Sequence, residues 1–170
     1  MSIYPVYHAI RSRRSIRAFR ARQIKRCTIR KILDAGRWAP SGLNNQPWRF
    51  VVVRNTEVKE RIARCTKYSS TIRRSDFVVL IFLDRNNSYH LLKDAQAIGA
   101  CIQSMLLCAF EMGIASCWMG EIIHQKGRVN ALLDLKTRYD LMAAVAFGYA
   151  QRKSKSQRAS LDRLLIKEYR

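Results

Sequence analysis

Apolar positions along the 170 residues alternate between helical and extended spacing. Val6 to Ser12 reads as a short helix. Ile29, Ile32, Leu33 and Gly36 share one helical face, which predicts a second helix opening at Thr28 as N-cap and closing at Pro40. Phe50-Val51-Val52-Val53 reads as a buried strand, and Glu57 to Lys67 as a surface helix with Val58, Ile62 and Cys65 inward. Phe77 to Leu83, fenced by Asp76 and Asp84, predicts another strand, and both strands are expected to be central. From Leu92 to Met112 a long helix carries Ala95, Ile98, Ile102, Met105, Ala109 and Met112 on one stripe and Ala97, Cys101 and Cys108 on another. A helix apolar nearly all round is either central to a large core or partly covered by a second subunit. Gly113 is its expected stop, followed by a short strand up to Gly120. Lys126 to Leu135 predicts a helix and Met142 to Ala150 a strand. The tail from Gln151 begins with Lys153, Lys155 and Arg158 and ends in a helix carrying Leu161, Leu164 and Leu165.

The length and the 48% hydrophobic content predict one domain over residues 1–170. The net charge of +20 raises the question of a nucleic-acid or membrane partner. The basic residues are spread along the chain, however, and no zinc-finger, RNA-recognition or basic-zipper motif accompanies them, so nucleic acid is not the expected partner. Five cysteines without a Cys-x-x-Cys pair indicate neither disulfides nor a metal site. That usage, the lack of a secretory run in Met1 to Pro5 and the shortness of every apolar segment predict a soluble, cytoplasmic protein without a membrane span. His8, His90 and His124 show no spacing that suggests acid–base chemistry.

Two clusters flank the second helix. Arg13-Arg14-Ser15-Ile16-Arg17-Ala18-Phe19 packs three guanidinium groups and a hydroxyl into five residues, a donor density suited to a phosphate. Ala39-Pro40-Ser41-Gly42-Leu43-Asn44-Asn45-Gln46-Pro47-Trp48 is a polar loop held between two prolines, with Pro47 expected to stiffen the exit and to bias the residue before it to extended geometry.

Together these clusters resemble the nitroreductase family of flavoproteins, as does Gly113-Ile114-Ala115-Ser116-Cys117-Trp118-Met119-Gly120 more loosely. The resemblance covers nearly the whole chain. It implies an α+β fold with a central, largely antiparallel sheet flanked by helices, and an intertwined homodimer with two FMN sites at its interface. By resemblance, Arg13, Arg14 and Ser15 hold the FMN phosphate and ribityl oxygens, and Arg17 places a positive charge near the N1/O2 edge of the flavin, tuning its potential. Pro40, Ser41, Gly42 and Asn44 match a loop that reaches the partner's FMN, with Gly42 replacing a frequent serine and so omitting one hydrogen bond. Met119 and Gly120 match a segment whose amides meet the flavin ring. Lys155 and Arg158 match a second phosphate clamp, although Ser160 stands where proline is usual.

The activity implied is ping-pong hydride transfer from NADH or NADPH through flavin N5 to nitroaromatic or quinone acceptors, with no catalytic side chain and no metal required. FMN rather than FAD is expected, because one phosphate grip and no Gly-x-Gly-x-x-Gly turn are present. Two alternatives stand beside it. One is specialised chemistry on the same fold, such as reductive dehalogenation or flavin fragmentation; the other is a basic nucleic-acid-binding protein without catalysis. The first is ranked lower because no extended insertion between Gly120 and Met142 supplies a large lid.

Overall fold

The computed structural model describes residues 4–170; Met1, Ser2 and Ile3, read above for the lack of a secretory run, lie outside them. The helices are α1 (Pro5–Ser12), α2 (Arg26–Arg37), α3 (Thr56–Ala63), α4 (Ser69–Arg74), α5 (Leu91–Glu111), α6 (Lys126–Leu132) and α7 (Leu161–Leu164). The strands are β1 (Phe19–Arg20), β2 (Trp48–Val53), β3 (Phe77–Asp84), β4 (Ala115–Met119) and β5 (Tyr139–Ala150). Short 3₁₀ turns occupy Gly42–Asn44, Arg85–Asn87 and Glu121–Gln125.

All the strands join one antiparallel sheet in the order β1-β5-β3-β2, with β4 also paired to β5. Alternation along β3 explains why helices cover both faces. Phe77, Val79, Ile81 and Leu83 point to a core shared with α2 and α5, while Val78, Leu80 and Phe82 point to one shared with α3, α4 and α6. Every residue of β3 is buried, as a strand covered on both faces requires. Each large apolar side chain removed from water there contributes roughly 1.5–3 kcal/mol. The α+β architecture with a central antiparallel sheet is therefore as expected.

Several sequence expectations need correction. Thr28 is not the N-cap of α2: the helix starts two residues earlier, with Lys25 in the cap position and no side-chain cap bond. The helix also ends at Arg37, before Pro40. The expected helix over 57–67 is shorter, α3 ending at Ala63 and capped by Asn55, whose side chain accepts from the Val58 N–H at 3.0 Å; α4 follows beyond it as a separate helix that the sequence pattern does not predict. Its 6 residues are too few to show a periodicity. β2 is not central: it pairs with β3 alone among the described strands, and Val52 is exposed. Asp84 does not fence β3 but ends it, buried and paired with Arg49 at 3.1 Å and Arg138 at 3.7 Å. β5 begins at Tyr139 rather than Met142 because Tyr139 pairs with Asp84. Gly113 does stop α5, in a left-handed conformation at φ 70° that favours glycine.

At the N-terminal end of α5, the fully buried Asp94 ties together three segments. Its Oδ1 accepts from Asn45 Nδ2 at 2.7 Å, and its Oδ2 accepts from Ser88 Oγ at 2.7 Å and the N–H groups of Tyr89 and His90 at 3.1 and 3.2 Å. Burial alone would raise the carboxyl pKa, but the hydrogen bonds from Ser88, Asn45, His90 and Tyr89 outweigh it, and the net shift is downward. A depressed carboxyl contributes stability above its unfolded pKa, about 3.9, that is lost as pH falls through the lower folded value. Asp94→Ala, which strands these buried donors, is expected to cost about 3 kcal/mol in urea unfolding. Asp94→Asn should flatten the loss of stability below about pH 4; a pH profile parallel to that of the wild type would contradict this role.

Candidate functional site

The arginine segment crosses the end of β4. The Ile16 N–H donates to the Ser116 carbonyl at 2.9 Å, and Ser15 forms a parallel bridge with Ser116. Downstream, Phe19 pairs with Ala150, and the Gln151 N–H donates to the Ala18 carbonyl at 3.0 Å. The end of β5 therefore delivers the basic tail to the place where the arginine segment lies.

Three adjoining cavities result. One, of about 450 Å³, lies between Arg13, Arg14, Ser116, Lys153 and the end of α5 at Phe110 and Gly113. Another, of about 730 Å³, is lined by Arg11, Ser12, Arg14 and residues 154–157, including Lys155. The third, of about 670 Å³, is lined by Ser15, Arg17, Ser70, Thr71, Arg74, Lys153 and Lys155. Among the described residues no carboxylate lines any of them. Neither the motif arginines nor the tail cations Lys153, Lys155 and Arg158 form a salt bridge among the described residues.

Arg13 is the centre of this excess charge. Its pKa is lowered by burial and by the neighbouring Arg158 and Arg14. Its Nε is buried and has no hydrogen-bond partner. Arg13 as a whole is only half-buried, but an Nε out of water and unpaired, on a guanidinium flanked by like charges, is costly unless an anion joins it. Arg14 is turned onto its own backbone, donating to the carbonyls of Arg11 and Arg13 at 2.5 and 2.9 Å, and Arg17 lies over the Tyr68 ring at 5.9 Å. Burial raises the pKa of Cys117, on β4, against the pull of Arg17 and Arg13, so its thiol stays neutral. Burial likewise pushes the Cys101 thiol up to about 12. Neither is a nucleophile at neutral pH.

Met119 and Gly120 lie at the far end of β4. The Met119 side chain is packed into the core, and Gly120 is exposed. Ser116 to Gly120 spans about 13 Å of extended chain. The arginines and this segment are thus two points along one strand, with the tail's Lys155 and Arg158 gathered at the arginine end.

The proline-bounded loop is elsewhere. Asn45 donates to the Asn87 carbonyl at 2.8 Å and to Asp94, which fixes the loop to the start of α5. Asp94 and Phe110 are separated by about 24 Å of helix. Pro40, Ser41, Gly42 and Asn44 are therefore not brought to the arginines of the same chain. Leu43, Asn44 and Gln46 have φ of 55°, 52° and 46°. Left-handed geometry at non-glycine residues is strained, and such strain concentrates at functional sites. Gln46 is thus not extended as the following proline predicts: its N–H donates to Ser41 Oγ at 3.1 Å and its side-chain amide to Asn44, closing the loop. Gly42 does not leave an empty place either. The Tyr89 hydroxyl lies 1.8 Å from where a Cβ at position 42 would be, so a side chain there would displace it.

Sequence reasoning missed Ser70, Thr71 and Arg74 because α4 was missed, and it gave no site role to Arg152 or to Lys153, named only as the start of the basic tail, although both line the same cavities. The Arg152-Lys153 pair at the end of the last strand was the available signal. Among the described residues no group of His, Cys, Asp or Glu is placed to hold a metal ion, and no helix is long and apolar enough to cross a membrane.

The chain is similar to known proteins in sequence and in fold. The pattern of the nitroreductase family matches residues 10–67 and 63–149. A structure of a candidate nitroreductase from Desulfovibrio desulfuricans, solved in complex with FMN, is 40% identical, covers 99% of both chains and superposes with a TM-score of 0.96. A candidate NADH dehydrogenase/NAD(P)H nitroreductase of Archaeoglobus fulgidus is 31% identical over 82% of each chain. One of the same description from Methanothermobacter thermautotrophicus is 32% identical over 68% of this chain, which spans 60% of that relative's length. With the fold, the motifs and these relatives in agreement, the chain belongs to the nitroreductase family of FMN-dependent oxidoreductases.

Proposed function

We propose that the cavities around Arg13 hold FMN and that two copies of the chain complete each site. The observation that carries this is the buried Arg13 Nε without a partner, crowded by Arg14 and Arg158 with no carboxylate in the cavity lining. A phosphate dianion is what that donor set fits. FMN, when bound, accepts a hydride from NADH or NADPH and passes it to a small acceptor such as a nitroaromatic or a quinone.

The chain's own residues bind and tune the cofactor. Arg13, Arg14 and Ser15 hold the phosphate end, with Lys155 and Arg158 closing over it from the tail. Arg17 supplies a fixed positive charge that raises the reduction potential. The backbone at Met119 and Gly120 offers amide hydrogen bonds farther along β4. No side chain is needed to move a proton.

Pro40, Ser41, Gly42 and Asn44 act on the site of the partner subunit, because α5 holds them far from their own arginines. Exposed apolar groups support a homodimer: Tyr4, Val6, Tyr7 and Ile10 on or beside α1, and Leu161, Leu164, Ile166 and Tyr169 in a tail that is solvent-exposed from residue 151 to 170. Buried by a second copy, these would form an interface larger and more apolar than a transient one.

The purified protein is expected to be yellow, to release FMN in acid and to bleach on NADH or NADPH under anaerobic conditions; FAD in the acid extract would contradict the single-phosphate site. In fluorescence titration, Arg13→Ala should weaken FMN binding roughly tenfold to a hundredfold, the loss of one charge-assisted contact. Arg17→Ala should instead lower the reduction potential and slow hydride uptake more than it loosens oxidised FMN. Arg61→Ala, on the exposed face of α3, is the control and should change neither. Uniform behaviour of all three variants would make the arginine cluster an ordinary solvated face.

A further inference from the structure

The cavity holding Arg17 borders a second one at Arg74. Residues 15–18, α4 and residues 152–155 line it, and the chain segments of the first two run on to line a second compartment of about 840 Å³. There residues 19–23 face residues 73–76, and Arg74 lines both spaces. The second compartment is lined by Arg20, Arg22, Arg54, Lys59, Arg73 and Arg74, with Asp76 the one acidic residue in its lining.

Few of these cations are neutralised. Arg54 pairs with Asp76 at 3.1 Å and Arg73 with Glu60 at 2.7 Å. Arg20, Arg22 and Arg74 form no salt bridge among the described residues. Several side chains are nonetheless held in place. Arg22 stacks 4.1 Å over the Tyr149 ring, which fixes the guanidinium plane and leaves its N–H edge available. Lys59 is 9% exposed, with Nζ donating to the Ser75 carbonyl at 2.5 Å. Asp76 is itself anchored, accepting from the Ile24 N–H at 3.0 Å as well as from Arg54.

We propose that this compartment binds the 2′-phosphate of NADPH and makes NADPH the preferred donor. The inference rests on the reading that a reduced nicotinamide dinucleotide serves the flavin held in the adjoining compartment. A pyrophosphate is common to both donors, so it cannot discriminate between them; the terminal phosphate monoester is a dianion that only NADPH carries. Unpaired guanidinium groups, with their forked donors, suit it better than a diffuse field would. The compartment also gives a local purpose to part of the +20 net charge that the cofactor phosphate alone does not use.

The test uses the FMN-loaded protein, with kcat/KM measured for NADPH and NADH in the wild type, in Arg20→Ala/Arg22→Ala and in the milder Arg22→Gln. Retention of bound FMN in the visible spectrum reports that each variant is folded. The wild type should favour NADPH at least about tenfold, and the double variant should lose about tenfold or more of NADPH kcat/KM while NADH changes little. Adenosine 2′,5′-bisphosphate, titrated calorimetrically without turnover, should bind the wild type and bind the variants more weakly. Equal use of both donors by the wild type, equal loss for both donors in the variants, or bisphosphate binding that the variants leave intact would each overturn the proposal. So would displacement of the bisphosphate by a short single-stranded oligonucleotide at lower concentration, which would mark a general nucleic-acid surface. If neither donor bleaches the flavin, the reading of the site as a nicotinamide-driven oxidoreductase fails, and the calorimetric titration still decides the subsite.

Discussion

Strand β5 is the constraint on which the site depends. It is paired along its length with β3, β4 and β1, and its central residues are buried on both faces, so its position is fixed from every side. Because β1 pairs with its last two residues, the segment carrying Arg13 to Arg17 has to enter beside β4 and leave along β5. The same strand ends at Ala150 and releases the basic tail at that point. Cations from two ends of the chain are thus driven together by hydrophobic burial elsewhere. Burial in the core is worth many kilocalories per mole, and it sustains the local repulsion around Arg13 that an anion relieves.

Helix α5 sets the second dimension. It holds Asp94 and the proline-bounded loop at one end and the wall of the arginine cavity at the other. Within one chain the two motifs are kept apart. On the dimer reading, a two-fold axis brings the loop of one copy to the arginines of the other, and the rigid separation becomes the means of completing the site. The left-handed residues at 43, 44 and 46 hold a strained shape, which Asp94 stabilises through Asn45.

The fold was legible wherever burial left a run or a stripe of apolar residues in the sequence. The unbroken apolar, β-branched run of Phe77 to Leu83 and the long stripe of α5 gave those elements within a residue or so. The failures have physical causes. α4 is too short for a helical period, and β1 has 2 residues and exists only because β5 is there to pair with it. Their loss hid Arg74 and the continuation of the basic groove. Arg13, Arg14, Lys155 and Arg158, singled out by motif, lie near one another in the structure. That the loop stands far from them depends on the length of α5 and the bonds of Asn45, which no local pattern encodes. Tyr89 filling the space beside Gly42 is a tertiary contact of the same kind.

The account stands most directly on whether one site needs two chains. Arg13→Ala protein and Ser41→Ala/Asn44→Ala protein each lack one half of the proposed site. If they are unfolded together, refolded as a mixture and titrated with FMN, random pairing into dimers should restore tight binding at about a quarter of all sites, since each mixed dimer holds one site with both halves intact. Tight binding that stays at the level of the two separate variants would contradict the account and place both halves of the site on the same chain.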